Sequence, residues 1–254
     1  MVSALDIGRK EHVALVGGGG KTTLMFALAG ELIKAGQKVI TTTTTKIRHQ
    51  EAARAPCKIF DLSDPAWRQK AKKALNTHRH IFVARRLLDS GKVEGISPER
   101  ADNLYLCQGV DHLIVEADGA SGRPVKAPAK NEPVVPSSVT VVVAIVGLEA
   151  LEKPFDERIV FRTALFEKLT GLGRGETITR GCLVKIFESP KGLYKGTPAV
   201  ARRVAFLNKA DLLADDHIAR DLADRILLSQ AASVDHVVIG SVAKKRYLLI
   251  RKKA

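Results

Sequence analysis

The feature that most constrains this chain is a run of four glycines and Lys-Thr-Thr, placed directly after an apolar segment. The run separates a strand predicted at 12–16 from a helix predicted at 22–35, and its residues are Gly17, Gly18, Gly19, Gly20, Lys21, Thr22 and Thr23. A strand, a glycine loop and a helix bring backbone N–H groups and the positive end of a helix to a phosphate. We expect Lys21 to contact the β- and γ-phosphates of a nucleotide, Thr22 to ligate Mg²⁺ and Thr23 to contact the α-phosphate.

The loop is shorter than the full Walker A pattern, because Leu15 stands where that pattern has its first glycine. The remaining GxxGKTT resembles the phosphate loop of Mur-ligase-like ATP-using enzymes. It also resembles the GGxGKTT loop of ATPases with an additional lysine, a position that is Val16 here. The alternative is a plain glycine turn, and GKTT between a strand and a helix argues against it. The loop predicts nucleotide binding and leaves open whether the reaction is hydrolysis or transfer.

Short apolar runs alternate with amphipathic stretches along most of the chain. Such runs, apolar throughout, are typical of strands buried on both faces of a parallel sheet. The predicted strands are 12–16, 38–42, 80–84, 112–116, 139–146, 203–207 and 236–239, and the predicted helices are 22–35, 65–75, 98–106 and 215–228. The pattern predicts an α/β fold with a doubly wound, mainly parallel sheet of the P-loop NTPase type.

One region interrupts this alternation, between residues 152 and 198. It contains no segment with the character of a strand, and we expect helices at 155–170 and 177–188. We therefore expect a single domain over 1–254 with a helical insertion at 152–198. The basic C-terminus around 247–250 predicts either an edge strand protected by charge or an anion-binding tail.

Composition narrows the class of partner. The 41 Lys and Arg against 27 Asp and Glu leave a net charge of +14, which favours anionic partners. Aromatic residues are 5% of the chain, too few to favour base stacking on nucleic acid. The three cysteines form no CxxC pair, which argues against a disulfide framework and a cysteine zinc site. With no apolar run of about 20 residues, we expect a cytoplasmic protein without a membrane partner.

A second apolar strand, at 112–116, ends in carboxylates. Glu116 and Asp118 follow it in the manner of a Walker B segment, whose carboxylate holds Mg²⁺ or orients a water. The spacing does not distinguish which of the two serves the metal, and an ordinary polar strand end is the alternative. We therefore predict that Thr22, Glu116 and Asp118 are the candidate metal ligands.

The loop that follows this strand is basic and rich in proline. Its charged residues include Arg123, Lys126, Lys130 and Glu132, and four prolines lie in it or beside it. Proline stiffens a loop and basic side chains bind phosphate or carboxylate, so we expect a contact with a second substrate or a client protein. The alternative is a solvated surface loop.

Two further segments carry candidate residues. Lys46 ends a threonine-rich strand and is predicted to serve the transferred phosphoryl group or a second substrate. Asn208, Lys209 and Asp211 follow a buried strand as NKxD, the tetrad with which GTPases recognise guanine. The Asp carboxylate accepts from donors that adenine lacks, the Asn braces neighbouring loops and the Lys stem packs on the base. A weaker echo of a base-contacting loop stands at 240–244, and together these segments favour GTP over ATP.

Taken in order, four segments of the chain resemble the YqeC family, and the resemblance covers essentially the whole chain. The segments are GGGGKTT, TTTTTK, EADGASGRPVKAPAKNEPVVP and LNKAD. The loop from 116 to 136 is the most specific part of the resemblance. The resemblance implies an accessory role in maturing selenium-dependent molybdenum hydroxylases, with such an enzyme or its cofactor as a partner. Where the family commonly has His before the Glu-Pro of this loop, this chain has Asn131.

These features together predict a Mg²⁺-dependent P-loop protein that binds and hydrolyses GTP or ATP. The candidate catalytic residues are Lys21, Glu116, Asp118 and Lys46. One alternative is an ATP-dependent ligase or kinase, which the Mur-like loop favours. A second alternative is a nucleotide-gated chaperone that binds without hydrolysis.

Overall fold

A computed structural model of the protein describes residues 1–60, 64 and 66–252. Within these residues a nine-stranded sheet forms the centre, with a three-stranded and a two-stranded sheet beside it. The strands are β1 (Glu11–Gly17), β2 (Val39–Thr43), β3 (Lys46–Arg48), β4 (Lys58–Ile59), β5 (His80–Val83), β6 (Arg86–Leu87), β7 (Lys92–Glu94), β8 (His112–Glu116), β9 (Val125–Lys126), β10 (Val141–Gly147), β11 (Val160–Phe161), β12 (Arg202–Asn208), β13 (His236–Ser241) and β14 (Arg246–Arg251).

The helices connect these strands across both faces of the sheet. They are α1 (Lys21–Lys34), α2 (His49–Ala52), α3 (Trp67–His78), α4 (Pro98–Tyr105), α5 (Thr163–Thr170), α6 (Arg180–Glu188) and α7 (Asp216–Leu228), with 3₁₀ turns at Leu148–Ala150 and Ala210–Leu212. Among the described residues, none of these helices has the length and apolar character needed to cross a bilayer.

The large sheet is parallel except at one edge. Its order is β14-β13-β12-β10-β1-β8-β2-β5-β4, and the antiparallel pair is β13 with β14. The predicted doubly wound, mainly parallel α/β fold is therefore confirmed, and so is the edge strand at the basic C-terminus. The predicted strands lie within two residues of the observed ones.

Alternate residues of β1 show why the sheet needs helices on both faces. Val13 and Leu15 are buried in one apolar cluster with Leu24 of α1. Ala14 and Val16 are buried in another cluster, on the opposite face, with helices α6 and α7. A strand buried on both faces is stable only if each face is covered, which explains the apolar run of four residues at 13–16.

The register of the strands brings the motif residues to one edge. Leu15 of β1 pairs with Glu116 of β8, Thr43 of β2 pairs with the same Glu116, and Gly147 of β10 pairs with Asn208 of β12. All these residues lie at the carboxyl ends of parallel strands. Ligands bind at this edge in open α/β sheets, so the candidate site is expected there.

The region 152–198 differs from its prediction. Its helices α5 and α6 are shorter than the predicted 155–170 and 177–188, and β11 lies in the segment where no strand was expected. That part of the prediction was wrong, because β11 has only two residues and its partner β9 lies about 35 residues earlier in the chain. A two-residue strand shows no periodicity, so only its tertiary pairing defines it.

Two other differences lie near β2. The small sheet β3-β7-β6 was not predicted, since its strands have only two or three residues. Helix α3 begins at Trp67, and the predicted start at Pro65 lies outside the described residues.

Candidate functional site

The glycine loop between β1 and α1 needs glycine at specific positions. Gly17 has φ +96° and Gly19 has φ +76°, a region that residues with a side chain rarely adopt. A Cβ on Gly17 would lie 2.2 Å from the carbonyl oxygen of Ile145, and one on Gly19 would lie 2.2 Å from the nitrogen of Gly147. The loop therefore packs directly against the end of β10, where only glycine fits.

Most of the N–H groups in this loop are already hydrogen-bonded within the protein. Gly17 N–H donates to Asp118 Oδ2 at 3.0 Å, Gly18 N–H to Ile145 O at 2.9 Å and Gly19 N–H to Arg123 O at 2.9 Å. Helix α1 then begins at Lys21, and no side chain caps its N-terminus. The first N–H groups of a helix lack intrahelical acceptors. The donors that a phosphate can meet thus lie at the start of α1, at 20–23, rather than along the whole loop.

Lys21 lies between the two carboxylates that follow β8. Its ammonium is 3.2 Å from Asp118 Oδ1 and 3.6 Å from Glu116 Oε1, and it donates to the carbonyl oxygen of Gly17 at 2.6 Å. Burial by itself lowers the pKa of Lys21, but the charges of Asp118 and Glu116 outweigh it and raise the pKa above its usual value. Lys21 is therefore a buried, fully charged cation at the mouth of α1.

Thr22 and Glu116 form the part of the site that fits a divalent cation. Thr22 Oγ1 donates to Glu116 Oε2 at 2.8 Å, and both residues line the same cleft. A hydroxyl and one carboxylate, with the remaining positions filled by water and phosphate oxygens, match the preference of Mg²⁺ for a few protein oxygens. Thr22 and Glu116 would hold the ion.

Asp118 does not share this position, although it was predicted beside Glu116 as a metal ligand. It is fully buried, and its oxygens face Lys21, the N–H of Gly17 and, at 3.1 Å, Lys126 Nζ. Both oxygens are thus directed at cations and an N–H group of the protein. Of the two carboxylates, Glu116 is the one that faces the cleft.

Asp118 begins a chain of ion pairs that extends into the region after β10. Lys126 Nζ lies 2.5 Å from Glu132 Oε2, and Glu132 accepts two hydrogen bonds from the guanidinium of Arg162. We call Lys21, Asp118, Lys126, Glu132 and Arg162 the buried ion-pair chain. Although burial favours the protonated form of Glu132, the hydrogen bonds from Arg162 and Lys126 lower its pKa to about 2.

This arrangement corrects the expected position of the basic loop. Lys126 has no exposed side-chain surface and pairs only with protein groups, and residues 124–128 are buried around it. The loop was predicted to present Lys126 and Glu132 to a substrate or client. Instead, β9 pairs with β11, and this pairing carries Lys126 into the interior. Lys130 alone of the predicted loop lysines is exposed, and it lies outside the cleft lining.

An open cleft of about 470 Å³ lies over the start of α1. Among its described lining residues Glu116 is the one acidic side chain, and six are cationic: Lys21, Lys46, Arg48, Lys92, Arg123 and Lys209. Arg123 donates to the carbonyl oxygen of Glu157 at 2.6 Å, which holds its side chain along the rim. The cleft therefore unites the predicted Lys46 and Arg123 with the glycine loop and suits an anionic ligand.

The residues of the NKxD segment lie in two places: Asn208 contacts the glycine loop, and Asp211 lines a separate cavity. Asn208 donates from Nδ2 to the carbonyl oxygen of Gly19 at 2.8 Å and accepts from the N–H of Val242 at 3.2 Å, so it braces both loops. Lys209 forms an ion pair with Glu149. Asp211 is exposed and lines a cavity of about 230 Å³ together with Gly240 and Ser241. The structure thus brings Asp211 next to the segment predicted as the base-contacting loop.

Several residues of the site escaped the sequence analysis. Arg162 and Glu149 are partners of predicted residues, and nothing in their local sequence indicates it. Arg48 and Lys92 belong to the unpredicted small sheet. The polar–apolar–polar alternation of Lys46-Ile47-Arg48 was the available sequence signal for that sheet, and in the structure these residues are exposed, buried and exposed.

A larger cavity, about 530 Å³, lies at the other end of the sheet. Trp67, Leu75 and Leu104 line it together with Lys38, which precedes β2, and Val110, which precedes β8. No carboxylate is among its described lining residues. It therefore lies at the amino ends of the strands, away from the glycine loop and the acidic residues, and we assign the candidate site to the loop cleft.

The fold and site define an α/β protein of the phosphate-binding-loop class: a glycine loop leads into an uncapped helix, and a carboxylate at the end of a neighbouring strand holds the loop threonine. The family model described as YqeC protein matches residues 13–164. The YqeC protein of Escherichia coli (strain K12) is 33% identical over 210 residues, which cover 81% of this chain and 79% of that protein. The chain belongs to the YqeC family.

Two solved structures align with this chain at low sequence identity. The signal recognition particle 54 kDa protein from Aeropyrum pernix K1, in complex with GDP, has a TM-score of 0.42 and 17% identity; the match covers 96% of this chain and 44% of that one. FtsY from Mycoplasma mycoides has a TM-score of 0.39 and 14% identity; the match covers 99% of this chain and 67% of that chain. Similarity at this level supports no statement about function.

Proposed function

We propose that the protein binds a nucleoside triphosphate with Mg²⁺ in the loop cleft and hydrolyses it, with GTP preferred over ATP. The observation that carries this proposal is the contact of Thr22 Oγ1 with Glu116 Oε2 at 2.8 Å, beside the charged Lys21 at the start of α1. A Mg²⁺ ion, when bound, supplies positive charge to the terminal phosphates. Lys21 adds a second positive charge there, and the first N–H groups of α1 donate to the phosphate oxygens.

Hydrolysis requires a water beside the terminal phosphate, and Glu116 is the group that can orient it. Glu116 is the acidic residue that lines the cleft, and its carboxylate already accepts a hydrogen bond there. Asp118, which pairs with Lys21 and Lys126, acts through Lys21 as a positioning residue. Of the two predicted catalytic carboxylates, Glu116 therefore faces the ligand and Asp118 does not.

The preference for GTP rests on Asp211 and Asn208. Asp211 is exposed and lines a cavity together with Ser241, and Asn208, three residues before it, donates a hydrogen bond to the carbonyl oxygen of Gly19. A carboxylate accepts from the N1–H and 2-amino groups of guanine, and a site built for such donors disfavours a base that lacks them.

We place this activity in the maturation of selenium-dependent molybdenum hydroxylases, with such an enzyme or its cofactor as the partner. Membership of the YqeC family supports this part of the proposal. A pull-down with a molybdenum hydroxylase, with and without bound nucleotide, tests it.

The decisive experiment is a titration of GTP and ATP, with Mg²⁺, against wild type and Lys21→Ala, scoring affinity and phosphate release together. Lys34→Ala is the matched control, because Lys34 is an exposed lysine at the other end of the same helix. We expect Lys21→Ala to lose about 100-fold in affinity, the equivalent of about 2.7 kcal/mol, and Lys34→Ala to match wild type. Absence of binding to wild type would overturn the proposal.

The base preference is tested with Asp211→Asn. We expect GTP affinity to fall about tenfold, or about 1.4 kcal/mol, and ATP affinity to stay constant. Asp224→Asn, an exposed aspartate on α7, is the control. Equal losses for both nucleotides would remove Asp211 from base recognition.

A second candidate function is phosphoryl transfer or ligation to an acceptor molecule. The observation that favours it is the set of cationic side chains that line the cleft, which includes Lys46 and Lys92. Tight binding with no turnover, in contrast, would support a nucleotide-gated chaperone.

A further inference from the structure

The small sheet, which follows β2, contributes part of the lining of the cleft. Strand β3 pairs antiparallel with β7, so that Ile47 is opposite Val93, Arg48 is opposite Lys92 and Lys46 is opposite Glu94. Ile47 and Val93 are buried and anchor the sheet, whereas Lys46 and Arg48 are exposed on the other side of β3. Residues Lys46, Arg48 and Lys92 line the cleft, and we call them the cationic wall.

The cationic wall is held firmly against the edge of the large sheet. Gly95 N–H donates to Thr45 O and Ile96 N–H donates to Thr43 O, both at 2.9 Å. A Cβ on Gly95 would lie 2.3 Å from the carbonyl oxygen of Thr43, so this junction has no spare room. Thr43 Oγ1 in turn donates to the carbonyl oxygen of Glu116 at 3.0 Å. These contacts set the wall at a defined position relative to Glu116.

The two lysines of the cationic wall, Lys46 and Lys92, form no ion pair among the described residues. Neither lysine lies within ion-pair distance of a carboxylate in the part of the chain that the structure describes. Glu94, which is opposite Lys46 and interacts with it at longer range, forms its ion pairs with Arg85 and Arg86. Lys46 and Lys92 both line the cleft and are therefore available to an anion there.

The order of the strands separates this wall from the position of the nucleotide. The base cavity, with Asp211 and Ser241, belongs to β12 and β13, whereas the cationic wall follows β2. Four strand spacings, about 19 Å at about 4.8 Å each, separate β12 from β2, and β1 with the glycine loop lies midway between them. A nucleotide with its base at Asp211 and its terminal phosphate at Lys21 leaves the β2 side of the cleft empty.

We infer that the cationic wall binds a second, small anionic substrate beside the terminal phosphate of the nucleotide. Lys46 and Lys92 provide the charge, and the cleft volume beyond the glycine loop provides the room. This inference rests on the proposed nucleotide site, because that site defines which half of the cleft is filled. The recognised chemistry is a phosphate or carboxylate group on a molecule small enough for the open half of the cleft.

The test is a calorimetric titration of inorganic phosphate, at constant ionic strength, into protein saturated with Mg²⁺ and a non-hydrolysable nucleotide. Wild type is compared with Lys46→Gln/Lys92→Gln, and the matched control is Lys153→Gln/Lys191→Gln, which removes two exposed lysines outside the cleft. We expect one phosphate per wild-type protein, affinity at least about tenfold weaker in the cleft variant and unchanged affinity in the control. Nucleotide affinity should fall less than phosphate affinity in the cleft variant.

Three results would overturn the inference. They are absence of phosphate binding to nucleotide-saturated wild type, equal phosphate affinity in the cleft and control variants, and a loss of nucleotide affinity as large as the loss for phosphate. The last would mean that Lys46 and Lys92 contact the nucleotide itself. Failure of wild type to bind nucleotide would overturn the proposed function alone. In that case, the phosphate titration is made with nucleotide-free Lys21→Ala, where dependence on Lys46 and Lys92 supports the inference and independence overturns it.

Discussion

The cations on the two sides of the loop cleft differ in burial and in ion pairing. On the loop side, Lys21 lines the cleft and Lys126 lies in the interior behind it; both are buried, and each faces two carboxylates in or beside the buried ion-pair chain. On the cationic wall, Lys46 is exposed and, like Lys92, has no carboxylate within ion-pair distance among the described residues. A buried charge is costly without a partner, whereas an exposed one stays hydrated and available. The comparison separates cations that hold the site together from cations that can meet a ligand.

Lys21 belongs to both groups, and this gives it a distinct role. It is buried and paired, yet it lines the cleft at the start of α1. A phosphate can replace part of its contact with Asp118 because Asp118 keeps Lys126 and the N–H of Gly17 as partners. The buried ion-pair chain therefore leaves every charge with a partner both before and after a ligand binds.

The largest effect on the difference between the two sides is expected from Asp118→Asn, which removes one carboxylate from the buried ion-pair chain. We expect the free energy of unfolding to fall by about 3 kcal/mol, at the lower end of the usual range because Glu116 and Glu132 remain beside the two lysines. Urea unfolding at pH 7 measures it. The control is Glu157→Gln, which breaks the exposed pair with Arg174 and should leave stability unchanged. Equal stability of the two variants would contradict the structural role of the chain.

The pH dependence of the unfolding free energy tests the same difference through Glu132. A carboxylate whose pKa is lower in the folded state stabilises the fold above its ordinary pKa of about 4.5 and loses that contribution as the pH falls toward about 2. Allowing for its partial exposure, the contribution of Glu132 is roughly 1–2 kcal/mol. In Glu132→Gln, the unfolding free energy should vary less with pH between 4.5 and 2 than in wild type. Parallel pH profiles would be the contrary result.

The smallest effect is expected on the cationic wall. Neither Lys46 nor Lys92 forms an ion pair among the described residues, and the longer-range attraction between exposed Lys46 and Glu94 is screened by solvent. Lys46→Gln/Lys92→Gln should therefore change the unfolding free energy by less than about 0.5 kcal/mol. Thermal or urea unfolding without ligand measures it. A loss as large as that in Asp118→Asn would show that both walls are structural.

The fold was predictable because its signals are local and repeated. Strands β1, β8 and β10 are buried throughout and contain uninterrupted apolar runs, and each run ends at a glycine or a carboxylate. The position of Lys21 and Thr22 at the start of a helix follows from the glycine loop alone. Asn208 was expected to brace neighbouring loops, and its contacts with Gly19 and Val242 agree with that expectation.

The environment of the basic loop was not predictable in the same way. A lysine in a proline-rich segment has the same local sequence whether it faces water or the interior. Lys126 is buried because β9 pairs with β11 and because Glu132 and Asp118 converge on its ammonium. The choice between Glu116 and Asp118 has the same origin, since only their partners distinguish them.

The sequence by itself determined the α/β fold, the glycine loop at the end of β1 and the arrival of carboxylates at the same edge, because hydrophobic periodicity and chain order are local properties. The tertiary structure decided which of these charges are paired. Electrostatic partners such as Arg162 and Glu132 are 30 residues apart, and the pairing of β9 with β11 brings them together. Burial of a charge depends on such distant contacts, so the difference between the buried ion-pair chain and the cationic wall exists only in the folded molecule.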